Sequence, residues 1–262
     1  MWRAQVEILE RLGHRVLAID LPGHGRRLGE RFTLEGAAAA IHEGVRELAG
    51  DPGYESGAPR APQGAGPMPD GEARVGDAHV PDGGDRTPVL VAGLSLGGYV
   101  ALHAVARDAS GVGAVVAAGC CTPPTSAVLH AWSLLARGIV AMPDGGAGLN
   151  RRFAELMMPP QAVEDLAAGG FALEVMDDVL REMAAAHPLE DLAAIELPVW
   201  LVNGRYDHFR SRERAFVRAG RDCRLRVIPR AKHLVSLDQP VRFTRVLLEA
   251  AAELEARANV PA

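Results

Sequence analysis

One serine in this 262-residue chain has the surroundings of a nucleophile. Ser95 is the centre of the sequence GLSLG, at 93–97, which is a G-x-S-x-G pattern. An apolar run at 89–92 precedes it, and residues 98–102 have the pattern of a helix. A strand, a sharp turn and a helix present the serine at the apex, with small residues needed two positions before and after it. The pattern favours a nucleophilic serine over an ordinary glycine-rich turn.

A serine hydroxyl becomes a good nucleophile only when a base takes its proton and an acid orients that base. Asp207 follows the apolar run 199–202, and His233 follows residues 225–228, which are also predicted to be a strand. The carboxyl ends of parallel strands meet at one edge of a sheet, where ligands also bind. We therefore expect Asp207 and His233 to lie beside Ser95 as acid and base.

Other residues could fill these roles. Asp177 or Asp178 could be the acid, but both fall in a predicted helix. We interpret His208 as a solvated neighbour of the favoured acid rather than as the base. A structural role in a turn is favoured for His24, and Asp238 is expected to help to start the last helix.

Apolar runs alternate with helical patterns along the chain, which predicts a doubly wound, mostly parallel α/β sheet. Runs that are apolar on both faces predict buried parallel strands. The predicted strands are 16–19, 89–92, 113–118, 199–202 and 225–228. The predicted flanking helices are 2–12, the segment up to residue 48 with Thr33 as its N-cap, and about 240–257.

Two segments interrupt this alternation. Residues 51–88 hold eight glycines and seven prolines among 38 residues, which predicts a disordered loop on the face opposite Ser95. Residues 122–187 show only broken helical patterns after a strand, which predicts a helical cap over the serine. The α/β core is thus expected to comprise 1–121 and 188–262.

The cap contains large apolar residues that could line a substrate pocket. They could equally form the cap's own core, and Leu94 beside the serine is a further candidate for the pocket. The cap residues concerned are Trp132, Phe153, Met157, Met158 and Phe171.

Composition excludes several functions. A net charge of −5 gives no basic surface for nucleic acid or anionic lipid. The charged, amphipathic amino end does not resemble a signal peptide, and we expect a cytoplasmic protein that binds no membrane. Three cysteines are too few for a disulfide framework or a zinc site, and the adjacent Cys120 and Cys121 are interpreted as buried small apolar residues.

Four segments resemble the α/β-hydrolase superfamily: GLSLGG around the serine, DLPGHG after an early run, ELPVWLVNGRYD around Asp207 and PRAKHLVSLDQP around His233. The resemblance covers almost all of the chain except 51–88 and the cap. It implies a triad with Ser95 as nucleophile, His233 as general base and then acid, and Asp207 as the orienting acid. It also implies that the backbone N–H of Leu96 stabilises the oxyanion, and that a small acyl substrate is used without a metal or cofactor.

The chain departs from the family pattern at its amino end. The family's second oxyanion donor comes from a His-Gly loop after an earlier strand, and no such loop precedes Trp2. The predicted strand at 16–19 would also lack its central neighbour. We therefore expect an N-terminally truncated form of the fold, with a functional product longer by roughly 20–50 residues.

The expected activity is hydrolysis of a carboxylic ester or related acyl bond through an acyl-serine intermediate. Within the superfamily that the chain resembles, thioesterases and hydrolases of carbon–carbon bonds share this triad. Both activities stay open as alternatives. In the dehalogenases and epoxide hydrolases of the fold that the chain resembles, the nucleophile is an Asp. The serine at position 95 therefore disfavours these two activities. The alternative from another class is a non-catalytic ligand- or partner-binding protein, because the second oxyanion element is missing.

Overall fold

A computed structural model describes residues 1–50, 88–124 and 175–258, together with Leu134, Gly138, Met142, Gly148 and Arg152. Nearly all of the predicted loop at 51–88 therefore lies outside the described residues, as does most of the predicted cap at 122–187. Both stay predictions.

The described strands form one parallel sheet. The strands are β1 (Val89–Leu94), β2 (Val112–Ala118), β3 (Val199–Gly204) and β4 (Cys223–Ile228). They pair in the order β1-β2-β3-β4. The central strands β2 and β3 are almost completely buried, which explains their uninterrupted apolar sequences. The parallel α/β sheet predicted from the sequence is confirmed.

Helices cover both faces of this sheet. They are α1 (Arg3–Arg11), α2 (Leu34–Ala49), α3 (Leu96–Arg107), α4 (Met176–Ala184), α5 (Pro188–Ala194), α6 (Glu213–Ala219), α7 (Val235–Asp238) and α8 (Pro240–Ala258). Helix α3 packs on β1 and β2 together with α2 and α5, whereas α8 packs on β1, β2 and β4 together with α1. Two apolar clusters result, one on each face of the sheet.

The predicted strand at 16–19 is wrong. Residues 14–20 form no strand in the structure, and they pair with none of the strands described. The apolar side chains instead contact α2 at Gly44, where an added methyl group would come within 3.3 Å of both Leu17 and Ile19. An apolar run becomes a strand only when a neighbouring strand accepts and donates its backbone hydrogen bonds.

One local and one distant side chain bind the N–H groups at the start of α2. Thr33 caps α2 as predicted, because its hydroxyl accepts from the Gly36 N–H at 3.0 Å. Glu182 of α4 accepts from the Leu34 N–H at 2.8 Å and so joins α4 to the same helix end. Among the helices that the structure describes, none is long and apolar enough to cross a membrane.

Candidate active site

Ser95 lies at the apex of a tight turn between β1 and α3. Its φ of 55° and ψ of −119° belong to a backbone conformation that non-glycine residues rarely adopt. A backbone hydrogen bond joins the turn to the end of β2, because the Ser95 N–H donates to the Ala118 carbonyl at 2.8 Å. Since α3 begins at Leu96, the first N–H groups of the helix lie directly after the serine.

The sequence predicts that a small residue is needed two residues before and two residues after Ser95, and the structure supports only the first of these requirements. At Gly93 an added Cβ would lie 2.1 Å from the Gly97 carbonyl oxygen, so glycine is required there as predicted. At Gly97 an added Cβ would meet nothing within 4 Å in the described part of the chain, so the expected collision is absent. The crowded position is Gly98, where a Cβ would come within 3.0 Å of the Ala118 carbonyl oxygen and of Cys120 Sγ.

Ser95, His233 and Asp207 lie in one hydrogen-bonded line. Ser95 Oγ is 2.8 Å from His233 Nε2, and His233 Nδ1 is 3.0 Å from Asp207 Oδ1. With its proton on Nδ1, the imidazole donates to the carboxylate and accepts from the serine hydroxyl. The structure thus brings together the three side chains that the sequence singled out, although they are up to 138 residues apart.

Asp207 lies at the base of this line with its side chain fully buried. Burial by itself disfavours the charged carboxylate, but hydrogen bonds from His233 and the Phe209 N–H, together with the attraction of His233, outweigh it. The pKa of Asp207 therefore lies below its usual value, and the group is a carboxylate at neutral pH. A carboxylate in this position stabilises an imidazolium that forms at His233.

The acid loop, residues 205–213, is ordered by its own side chains. Arg210 makes two hydrogen bonds to Glu213, at 2.9 and 2.7 Å, and a third at 2.9 Å to the Arg205 carbonyl. Asn203 at the end of β3 also donates to Glu213, at 3.3 Å. The hydrogen bonds from Arg210, in particular, hold the pKa of Glu213 below its usual range.

The histidine loop, residues 229–239, lies directly on the end of β3. The Tyr206 N–H donates to the Ala231 carbonyl at 2.9 Å, which ties the histidine loop to the acid loop. A Cβ at Gly204 would lie 2.0 Å from the Lys232 carbonyl oxygen and 2.6 Å from that of Ala231, so the close approach requires glycine. Sequence reasoning missed Gly204, although a glycine at a strand end is a signal for such an approach.

Asp238 serves the histidine loop. Its Oδ2 accepts from the Lys232 N–H at 2.6 Å, immediately before His233. The last helix, α8, begins at Pro240, so the expected role of Asp238 in starting that helix is replaced by a role in closing the loop.

Gly119 is a second residue that the sequence analysis missed. It follows β2 with φ of 60°, and a Cβ there would come within 3.1 Å of His233 Cε1 and 3.3 Å of Asp207 Oδ2. Asp207 Oδ2 is buried and has no hydrogen-bond partner in the described part of the chain. The glycine therefore gives the imidazole and the carboxylate the space that they occupy.

Two rings flank the imidazole of His233. The ring of Phe209 lies 4.7 Å from it and that of His208 lies 5.2 Å from it, measured between centroids. His208 is largely exposed, as predicted, and its Nδ1 is 4.0 Å from Asp207 Oδ1. Partial burial of the ring, followed by repulsion from His233, lowers the pKa of His208.

The alternative candidates have other partners. Asp178 pairs with Arg31 and Arg181, and Asp177 is exposed on α4. The His24 ring lies 3.0 Å from the Pro22 carbonyl oxygen within its own turn.

The residues proposed for the substrate pocket are mostly untested. Leu94 is 3% exposed and belongs to the apolar cluster on the α8 face of the sheet, so the structure gives it a place in the core. The cap candidates lie outside the described residues, and a pocket formed by them stays a prediction: Trp132, Phe153, Met157, Met158 and Phe171.

Cys120 and Cys121 are buried, as predicted, and carry free thiols. Within the ranges that the structure describes, no group of three or more His, Cys, Asp or Glu side chains could hold a metal ion.

The parallel sheet and the serine turn define the fold as that of the α/β hydrolases. Residues 1–246 match the model of the alpha/beta hydrolase family, and the chain belongs to that family. Among curated proteins, none matches the chain by sequence.

Several solved structures share the fold. A thermophilic esterase from Thermogutta terrifontis is 20% identical with a TM-score of 0.67, over 97% of this chain and 85% of that one. The enol-lactonase from Burkholderia xenovorans LB400 is 18% identical with a TM-score of 0.66, over 96% of this chain and 85% of that one. A hydrolase from Pseudomonas aeruginosa PA01 is 19% identical with a TM-score of 0.64, over 96% and 84%.

Proposed function

We propose that this hydrolase cleaves a carboxylic ester or a related acyl bond of a small molecule through an acyl-serine intermediate. The observation that carries the proposal is the hydrogen-bonded line from Ser95 Oγ through His233 to Asp207 Oδ1. The esterase and the enol-lactonase of the same fold support an oxygen ester or lactone as the first substrate class to test.

The first half of the reaction acylates the serine. His233 Nε2 takes the Ser95 proton as Oγ attacks the acyl carbon, and Asp207 stabilises the imidazolium. The carbonyl oxygen becomes an oxyanion, which the N–H of Leu96 at the start of α3 stabilises. The imidazolium then gives its proton to the leaving alkoxide, the acyl–oxygen bond breaks, and the alcohol departs.

The second half regenerates the enzyme. His233 takes a proton from water as the water oxygen attacks the acyl-serine carbon. A second oxyanion, with the hydroxyl from water in place of the alkoxy group, forms and collapses; the bond from the acyl carbon to Oγ breaks, and Oγ regains its proton from Nε2. The products are a carboxylic acid and the free serine. Ligand binding alone does not require a serine in a strained turn at hydrogen-bond distance from a histidine. This geometry therefore favours hydrolysis over a purely ligand-binding role.

A fluorophosphonate probe tests this proposal, because it reacts only with an activated serine. The wild type should be labelled, and both Ser95→Ala and His233→Ala should lose labelling and ester hydrolysis by several orders of magnitude. Ser110→Ala, at an exposed serine after α3, is the matched control and should behave like the wild type. A panel of p-nitrophenyl esters of graded acyl length then defines the acyl preference. Labelling that persists in Ser95→Ala would refute the proposal.

A further inference from the structure

Gln5 on helix α1 makes a buried contact with the histidine loop. Its side chain is 1% exposed, and its Nε2 donates to the carbonyl of Ser236 at 3.0 Å across 231 positions of sequence. Ser236 is itself buried and lies three residues after His233, in α7. A single amide therefore links the first helix to the segment that carries the histidine.

The Ser236 carbonyl needs this donor because of the sequence that follows it. In an α-helix the carbonyl of one residue accepts from the N–H four positions later. Four positions after Ser236 is Pro240, which has no N–H. A buried carbonyl without a donor is unfavourable, and the amide of Gln5 takes the place of the missing N–H.

The contact leaves other buried polar atoms unsatisfied. Gln5 Oε1 and Ser236 Oγ are both buried without a hydrogen-bond partner in the described part of the chain. An apolar side chain at position 5 would remove the unsatisfied Gln5 oxygen but would leave the Ser236 carbonyl without its donor. What the amide supplies is therefore a fixed position for the Ser236 carbonyl.

We infer that Gln5 is a positioning residue for His233, an inference that rests on the proposed function. Gln5 fixes the histidine loop at Ser236, and the Asp238 carboxylate closes the same loop at Lys232. Between these two anchors, His233 Nε2 lies 2.8 Å from Ser95 Oγ. Release of the Ser236 anchor lets the imidazole move from this line without a change in any group that touches the substrate.

The substitution Gln5→Met tests the inference, because it keeps the length of the side chain and removes the donor. Turnover should be measured with p-nitrophenyl esters on the full chain, with the number of active sites counted by fluorophosphonate titration. We expect kcat per titrated site to fall about tenfold, within the range that a small misplacement of a catalytic group produces. KM should stay within about twofold of the wild type, and the phosphonylation rate should fall in parallel with kcat.

The matched control is Gln239→Met, the same change in the same loop. The Gln239 amide donates to the exposed carbonyl of Arg230, at 3.4 Å, and its loss should leave kcat per site within about twofold. If Gln5→Met yields no soluble protein, Gln5→Asn, which is one methylene too short for Ser236, should give the same fall in kcat.

The outcomes separate the two hypotheses. A variant at position 5 with a lower melting temperature but wild-type kcat per titrated site would overturn the inference and leave the proposed function intact. An equal fall in kcat for the Gln239 variant would also overturn it. A wild type that reacts with neither probe nor ester would refute the proposed function, and the inference with it.

Discussion

The acid loop and the histidine loop follow neighbouring parallel strands, and each supplies one side chain to the same hydrogen bond of 3.0 Å. They differ in where their central side-chain contacts come from. At the centre of the acid loop Arg210 and Glu213, three residues apart, pair with each other. Backbone bonds such as that from the Arg212 N–H to the Cys121 carbonyl, at 3.0 Å, add distant support. The histidine loop is closed by Asp238 at Lys232, but it is also held by a buried side chain from the first helix, Gln5.

This difference indicates which changes each loop should tolerate. The Arg210–Glu213 pair moves with the acid loop, so it persists when a helix elsewhere shifts. The Gln5 contact joins the histidine loop to a separate helix, so it is lost when that helix shifts. Helix α1, which carries Gln5, is held against α8 partly by the rings of Trp2 and Phe243, 5.7 Å apart. The place of the imidazole is therefore coupled to the packing of the first helix.

The largest effect is expected from Asp207→Asn in the acid loop. The amide has the size of the carboxylate but can donate to His233 Nδ1, which favours the tautomer that cannot accept the serine proton. Turnover should fall by roughly 10⁴ while the fold is kept, as the same change does in serine proteases. Steady-state kinetics and circular dichroism measure the two quantities.

The control for this variant is Asp178→Asn, whose carboxylate pairs with Arg31 and Arg181 away from the site. It should retain wild-type turnover. The opposite result, with the Asp178 variant inactive and the Asp207 variant active, would show that the acid has been assigned to the wrong residue.

A smaller effect is expected from Gly204→Ala, which tests the support of the histidine loop. The new methyl group would overlap the carbonyl oxygens of Ala231 and Lys232, and backbone cannot move aside as a side chain does. We expect a loss of about 2–3 kcal/mol in the free energy of unfolding. Gly97→Ala should stay within about 1 kcal/mol of the wild type, because nothing described lies near its Cβ.

Urea denaturation of the two glycine variants measures this difference. Equal losses for both variants would mean that the histidine loop does not depend on the close approach at Gly204.

The smallest effect concerns pH and the acid loop. The pKa of Glu213 is lowered from its usual value of 4.5, first by the hydrogen bond from Arg210. Just below pH 4.5 the folded state therefore binds fewer protons than the unfolded state. The contribution of Glu213 is present above that pH and is lost as the pH falls through the lowered pKa. Glu213→Gln should therefore remove about 1 kcal/mol of stability at pH 7 and less in acid.

Glu196→Gln is the matched control for this experiment. Its carboxylate pairs with Arg221 where both side chains are largely exposed, and stability should change little at either pH. Urea denaturation at pH 7 and at about pH 4 compares the variants, and a constant difference for Glu213→Gln would contradict the linkage.

Much of the fold and of the candidate site could be predicted because the relevant signals are local. Short runs rich in apolar residues predicted β1 to β4. The central strands β2 and β3 are buried on both faces and almost entirely apolar, whereas β4 also contains Arg224 and Arg226. The glycine at position 93 predicted the serine turn, and Thr33 predicted the start of α2. Asp207 and His233 could be named because each follows such a strand by a few residues.

The features that could not be predicted depend on distances across the fold. The apolar run at 16–19 resembles a strand, but strand formation depends on a partner strand and not on the run itself. The need for glycine at 98, 119 and 204 arises from carbonyl groups or side chains of other segments.

The sequence by itself determined the fold family of this protein and indicated Ser95, Asp207 and His233 as its candidate site, because residue types and strand ends can be recognised in short stretches of chain. The tertiary structure decided how the histidine is held. The distance from Gln5 to Ser236 spans 231 positions, and a missing N–H at Pro240 becomes important only when a distant amide lies within hydrogen-bond reach. Such pairings depend on the packing of α1 and α8 on the sheet, which short-range patterns do not encode.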